Sequence, residues 1–280
     1  MTLKLAIPDY TFPKLKWEQA LRLVRDLSVQ AVDIGLFADR SHLRPEAILS
    51  RPSEAADEIL SKVSSHGLEI ADVFGQPGTA FEEKAINHPD LAERKKAADF
   101  FWRLLDLAAH CRARHMTLLP GVHFGTEGYD DSLNRCAEEL AWRVEEALKL
   151  GIALGVEPHI GSIISKPSQA RRLIELASGL TLTLDYGHFT CQGVADDEIE
   201  PLLADCSHFH ARAACSGKLQ APLNENTIDF ARILHTMEQS SYTGYVAVEY
   251  VWSEWMGCNQ VDTLSETILL RDLLRKASGS

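Results

Sequence analysis

The sequence lacks several features, and each absence excludes something. No window approaches the roughly 20 uninterrupted apolar residues of a membrane helix, so a soluble protein is expected. The six cysteines (Cys111, Cys136, Cys191, Cys206, Cys215 and Cys258) show no C-x-x-C spacing. A zinc finger or a dense disulfide framework is therefore not expected, and reduced thiols in a cytoplasmic protein are. The opening MTLKLAIPDY has too short an apolar run before Pro8 and Asp9 for a signal peptide. Positive charge is also scarce: 28 Lys and Arg face 40 Asp and Glu, a net charge of −12. Such a balance opposes nucleic-acid backbones and anionic membranes as partners. Finally, IPDYTFPKLKW after the first apolar run carries no G-x-G-x-x-G, which weighs against an open dinucleotide-binding sheet.

What is present is an alternation. Short apolar runs at 3–7, 29–35, 68–74, 115–119, 152–157, 180–185, 206–211 and 245–250 read as strands. Longer amphipathic segments between them read as helices. One spans about 89–112, and another opens on Asp131 or Ser132 as cap and stops at Gly151. Strand starts recur every 35 residues or so, the spacing of a strand, a helix and two loops. No linker or low-complexity stretch divides the chain. Eight such units predict one (β/α)8 TIM barrel over residues 1–280.

In such a barrel, chemistry gathers where strands end. The last four strands end IALGVEPH, LTLTLDYGH, CSHFHAR and YVAVEYVW, each with one metal-competent residue: Glu157, Asp185, His210 and Glu249. Side chains two apart share a strand face. Gly155, Thr183, His208 and Ala247 precede the four on that face, and bulky Val156, Leu184, Phe209 and Val248 lie on the other. The four candidates are thus expected to point inward over a floor of small or polar groups. Three converging buried carboxylates would be costly and mutually repulsive, and a divalent cation relieves both penalties. A lone carboxylate at a strand end is more often a loop cap or surface ion pair. Four in succession point to a metal site.

These residues, with VDIGLF, VEPHIGS, LDYGHF, HFHARAA, GKLQAPLNENTIDF and VAVEY, resemble the xylose isomerase-like TIM barrels of the sugar phosphate isomerase/epimerase group. The resemblance implies that Glu157, Asp185, His210 and Glu249 bind one divalent ion, commonly Mn²⁺, with Mg²⁺, Co²⁺ or Zn²⁺ as alternatives. It implies proton exchange with a substrate carbon by Glu157 and Glu249 from opposite faces of the sugar. His188 is then expected over the substrate, and a small carbohydrate or polyol is the expected partner. A homo-oligomer follows only by analogy. Physical chemistry agrees on the roles: a chelating metal stabilises an enediolate, and two carboxyl groups serve as base and acid.

The seventh-strand loop departs from the pattern. Arg212 comes early, where the family places an arginine later, and the later stretch offers Lys218. Asn224 and Asn226 in NENTIDF replace flexible residues, and no basic cluster marks a phosphate pocket. His159 and Trp252 are further substrate-contact candidates, beside loop-histidine and interface readings. Trp255 and His123 stand behind them, and Asp33, Arg40 and His42 are weaker. His208 reads as a hydrogen-bonded interior residue. His66, His88, His110, His115 and His235 read as structural.

The reaction expected is isomerisation or epimerisation of a sugar or polyol ketone. A dehydratase of the inosose or dehydroshikimate kind is the close alternative. A phosphodiester-cleaving barrel shares the D-x-x-H of Asp185 and His188 but would need an extra D-x-H pair after the seventh strand, which is missing. A non-catalytic sugar-binding barrel remains as the contrast.

Overall fold

The structure is a computed structural model that describes residues 3–38 and 40–279. Its strands are β1 (Leu5–Pro8), β2 (Ala31–Phe37), β3 (Glu69–Gln76), β4 (His115–Leu118), β5 (Ala153–Val156), β6 (Thr181–Asp185), β7 (Cys206–Ala211) and β8 (Val246–Val248). Each pairs in parallel with its sequence neighbour, and β8 pairs with β1 to close the barrel. The fold is the TIM barrel that the strand spacing predicts. All eight expected strands appear within a few residues of their expected bounds.

The main outer helices are α1 (Trp17–Asp26), α2 (Pro52–Ser65), α3 (Leu91–His110), α4 (Tyr129–Lys149), α5 (Pro167–Leu176), α6 (Phe230–Gln239) and α7 (Thr263–Ser278). The connection between β6 and β7 is broken into short helical turns. Helix α4 starts ahead of the expected cap: Gly128 is its N-cap, and Asp130 and Asp131 lie in the first turn, where negative charge favours the helix dipole. Asp90, Asp229 and Asp262 cap α3, α6 and α7 with side-chain acceptors. Among the described residues, no helix is long and apolar enough to cross a membrane. All six cysteines are free thiols.

Val156, Leu184, Phe209 and Val248 are buried between strands and helices, in the main hydrophobic core. The barrel interior is different. Bulky branched residues usually fill it, but here Ala6, Ala31, Ala71 and Ala247 pack one side. The other side is polar, with Thr117 and Thr183 sharing a hydroxyl hydrogen bond of 2.7 Å. Gly155 is required between them: a Cβ there would lie 2.5 Å from Thr183 Oγ1 and 2.9 Å from the His115 ring.

The barrel's register shifts at two of its strand pairs. Between β2 and β3, Val32 pairs with Ile70 but Asp33 with Asp72, which leaves Ala71 bulged. Between β6 and β7, Leu182 pairs with Cys206 but Thr183 with His208, which leaves Ser207 bulged. A bulge breaks strict alternation and re-aims the side chains beside it.

Candidate active site

The ends of β5 to β8 bring charge to the mouth of the barrel, and the ends of β1 to β3 bring aromatic rings. Glu157, Asp185, His210 and Glu249 are all buried. His210 Nδ1 lies 3.1 Å from Glu157 Oε1 and 3.4 Å from Glu249 Oε1. These three residues offer ligand atoms within 4.8 Å of one another, and so do Glu157, Asp185 and His188. Each trio is grouped closely enough to hold a metal ion, with Glu157 shared between them, and carboxylate oxygen with imidazole nitrogen suits a hard or borderline divalent cation. On its far side, His210 Nε2 faces Asp33 Oδ2 at 3.6 Å and has no closer hydrogen-bond partner. A carboxylate behind the second ring nitrogen is how metal-binding histidines are commonly oriented.

Arg212 reaches into this cluster. One guanidinium nitrogen donates to Asp185 Oδ2 and to Glu249 Oε2, the latter at 2.6 Å. Its position two residues after His210 puts it on the same strand face. The ring of His188 caps Asp185, with Nε2 3.6 Å from Asp185 Oδ2. His188 Nδ1 accepts from the Ile160 N–H at 3.3 Å. Burial pulls its pKa down to about 4. The ring is thus neutral near pH 7, with its proton on Nε2.

The two glutamates are driven apart. Burial works to raise Glu157, but the His210 hydrogen bond and charge outweigh it and hold the group at about 2. For Glu249 burial prevails over His210 and Arg212, and the pKa rises to about 7. Burial opposes a charge on His210, yet Glu249, Asp33 and Glu157 together raise it well above its ordinary value.

Above the cluster is a cavity of about 490 Å³, lined by Glu157, His159, His188, Arg212, Glu249, Trp252 and Trp255 among others. The His159 ring packs on Phe81 with centroids 4.4 Å apart, and its Nδ1 faces the Ile160 carbonyl oxygen at 2.9 Å. Trp252 is 37% exposed, with Lys14 Nζ 3.9 Å from its ring centroid. Lys218 pairs with Glu225 on the surface and is not among the cavity's lining residues. Asn226 ties its loop down by accepting from the Ala214 and Ile228 N–H groups. His123 is exposed, bonded to Glu127 O.

Several site residues escape the strand-end reading. Tyr10 donates its hydroxyl to Glu249 Oε1 at 3.0 Å. Its ring packs with Phe37 and Phe74 into an aromatic wall, with neighbouring centroids 4.8 and 5.0 Å apart. Arg40 also lines the cavity, donating to Gln76 Oε1. The same strand parity, applied to β1 and β2, is the signal that finds Tyr10 and Phe37, whereas Phe74 follows the β3 bulge and parity alone does not place it.

Asp9 supports Tyr10 from behind. It is fully buried, accepting from Gly35 N–H at 3.0 Å and Trp17 Nε1 at 2.9 Å. Burial lifts its pKa from 3.8 to about 7 despite these bonds. The folded protein then binds the proton more tightly than the unfolded chain, so the contribution is complete below about pH 4. It is lost as pH rises towards 7, by on the order of 4 kcal/mol for a shift of this size. Denaturant unfolding across pH 4 to 8 is expected to show wild type losing that advantage over Asp9→Asn. A difference that stays constant with pH contradicts the assignment.

A profile of the xylose isomerase-like TIM barrel family matches residues 21–273. The chain belongs to this family. Among solved structures of similar fold, D-psicose 3-epimerase from Clostridium cellulolyticum H10 is 15% identical, with a TM-score of 0.74 over 98% of this chain and 99% of that one. An L-ribulose 3-epimerase is 18% identical, with a TM-score of 0.75 over 99% and 96%. A probable 3-DHS dehydratase from Bacillus anthracis is 13% identical, with a TM-score of 0.70 over 96% and 99%. No curated protein matches the sequence. At these identities the likeness speaks for fold, and it places the chain beside sugar epimerases and a dehydratase.

Proposed function

We propose that the protein is an enzyme that isomerises or epimerises a small sugar or polyol ketone by moving a proton at a carbon beside the carbonyl. The observation that carries this reading is the pair Glu157 and Glu249, converging on His210 Nδ1 at the base of the cavity. One is held ionised and the other is poised near neutrality. Two carboxyl groups whose environments push their pKa values apart are suited to divide the labour of base and acid. Glu157 takes the proton from carbon, and Glu249 returns one. His188 donates from Nε2 to a substrate oxygen, and Arg212 places a second positive donor beside it. His159, Trp252 and Trp255 bound the cavity where the sugar's carbon face would rest.

Glu157, Asp185, His210 and Glu249 would hold one divalent ion, and the mixed oxygen and imidazole set suits Mn²⁺. When bound, the ion supplies Lewis-acid stabilisation of an enediolate. Free thiols agree with a reducing compartment, and the cytoplasm is the proposed location.

Product analysis tests the reading. Ketohexoses, ketopentoses, inososes and hydroxypyruvate would be offered to the Mn²⁺-supplemented protein. An epimer or an aldose–ketose pair at unchanged mass is expected. Loss of water with a new enone absorbance would instead assign a dehydratase, and no turnover of any member would sink the proposal.

A further inference from the structure

At the opposite end of the barrel, the bulges on β3 and β7 bring together three groups that the sugar chemistry does not use. His115 Nδ1 lies 2.7 Å from Asp72 Oδ1, and His115 Nε2 lies 2.7 Å from Ser207 Oγ. The three come from β3, β4 and β7. Asp72 stands directly after the bulged Ala71, and Ser207 is itself the bulged residue of its pair. Without the second bulge, strict alternation would turn Ser207 outward whenever His208 and His210 face inward.

We propose that Ser207, His115 and Asp72 form a second site, at the N-terminal end of the barrel, that transfers acyl groups from small carboxylic esters to water. The proton inventory supports the roles. The Asp72 carboxylate accepts, so His115 carries its proton on Nδ1 and offers a lone pair at Nε2. Ser207 Oγ–H faces it when Thr181 Oγ1 turns its proton from the Leu154 carbonyl, 2.9 Å away, to Ser207 Oγ. Burial holds His115 below its ordinary pKa despite Asp72, so the ring is neutral and able to accept a proton near pH 7. Asp72 Oδ2 is buried with no hydrogen-bond partner, so His115 is the side chain through which that carboxylate is satisfied. A nucleophile, a base and an orienting acid in this order of contact constitute the general arrangement for covalent acyl transfer.

Access separates this arrangement from a sealed hydrogen-bond chain. Ser207 is only half-buried. With His115 and His208 it lines a cavity of about 680 Å³, larger than the one at the other mouth. Thr181 Oγ1 lies 2.6 Å from Ser207 Oγ, a second hydroxyl beside the reacting oxygen. Lys4, Arg112 and Arg114 outnumber Glu69 among the charged residues of that cavity, which favours an acyl group that carries negative charge.

In the reaction, Ser207 Oγ attacks the acyl carbon as its proton passes to His115 Nε2. The alcohol leaves with that proton, and an acyl-serine remains. Water then attacks the acyl carbon by the same base, which releases the carboxylic acid and restores the serine. Nothing is oxidised or reduced.

Treatment of the full-length protein with a fluorophosphonate, followed by intact mass and peptide mapping, tests the proposal. One adduct per chain on Ser207 is expected. It should be absent in Ser207→Ala and form at least about 100-fold more slowly in folded His115→Gln, the scale of losing a general base. The N-terminal end of such barrels usually serves stability alone, and that role would not move a labelling rate. Wild type that takes no label at Ser207, or a His115→Gln protein labelled as fast as wild type, overturns the proposal. The wild-type result decides even if a variant fails to fold.

Discussion

Glu157→Gln and Glu249→Gln each lower turnover by about 10²- to 10⁴-fold, the usual worth of a positioned acid or base, while leaving the barrel folded. Glutamine keeps the shape of glutamate but only one acceptor oxygen, so at position 249 it accepts from either Tyr10 or Arg212 and turns its NH2 group to the other. What disappears is the ability to hold a proton, together with one negative charge toward the divalent ion, so the assays are run at saturating Mn²⁺. The two losses differ in kind. Glu157 stays ionised across ordinary pH, so its replacement removes the base outright. Glu249 returns a proton to carbon, so its replacement removes the acid instead. Steady-state kinetics of both variants across pH 5 to 9, with melting curves as a folding control, check this. Near-wild-type turnover in either one would mean that the carboxyls bind but do not react.

Arg212→Met is the second large effect. The Arg212 guanidinium, 4% exposed, lies between Asp185 and Glu249. Methionine fills comparable space but leaves two buried carboxylates without their cation. Removing one partner of a buried ion pair costs about 3 to 5 kcal/mol, which corresponds to roughly 6 to 20 °C in melting temperature for a chain of this class. A divalent ion supplies the missing charge, so Mn²⁺ is expected to restore much of the loss. Thermal melts of wild type and variant, with and without Mn²⁺, read both parts. A variant that melts with wild type in chelator shows that Arg212 does not neutralise the cluster.

Much of this site was legible because a parallel strand repeats with a period of 2 and a barrel collects its strand ends. Those two rules place Glu157, Asp185, His210 and Glu249 together from sequence alone, with Phe209 and its equivalents facing the helices. They fail where alternation breaks. A bulge is a relation between two strands, and nothing in EIADVF or CSHFHA announces that Ala71 or Ser207 lacks a partner. For this reason His115 reads as a structural histidine, although it stands inside the barrel between Asp72 and Ser207. Arg212 was placed on the correct face, but its long side chain takes its direction from the carboxylates it meets, which sequence does not locate. Tyr10 lies just past β1, within reach of Glu249 only once β8 closes the barrel against β1.

The most direct test of the central claim is to run the reaction in D₂O with a ketose substrate and locate the label by NMR. Deuterium from solvent at the carbon beside the carbonyl, formed by wild type and suppressed in both Glu157→Gln and Glu249→Gln, is the predicted result. Substrate converted with no deuterium at that carbon, or labelled equally by the glutamine variants, would contradict it.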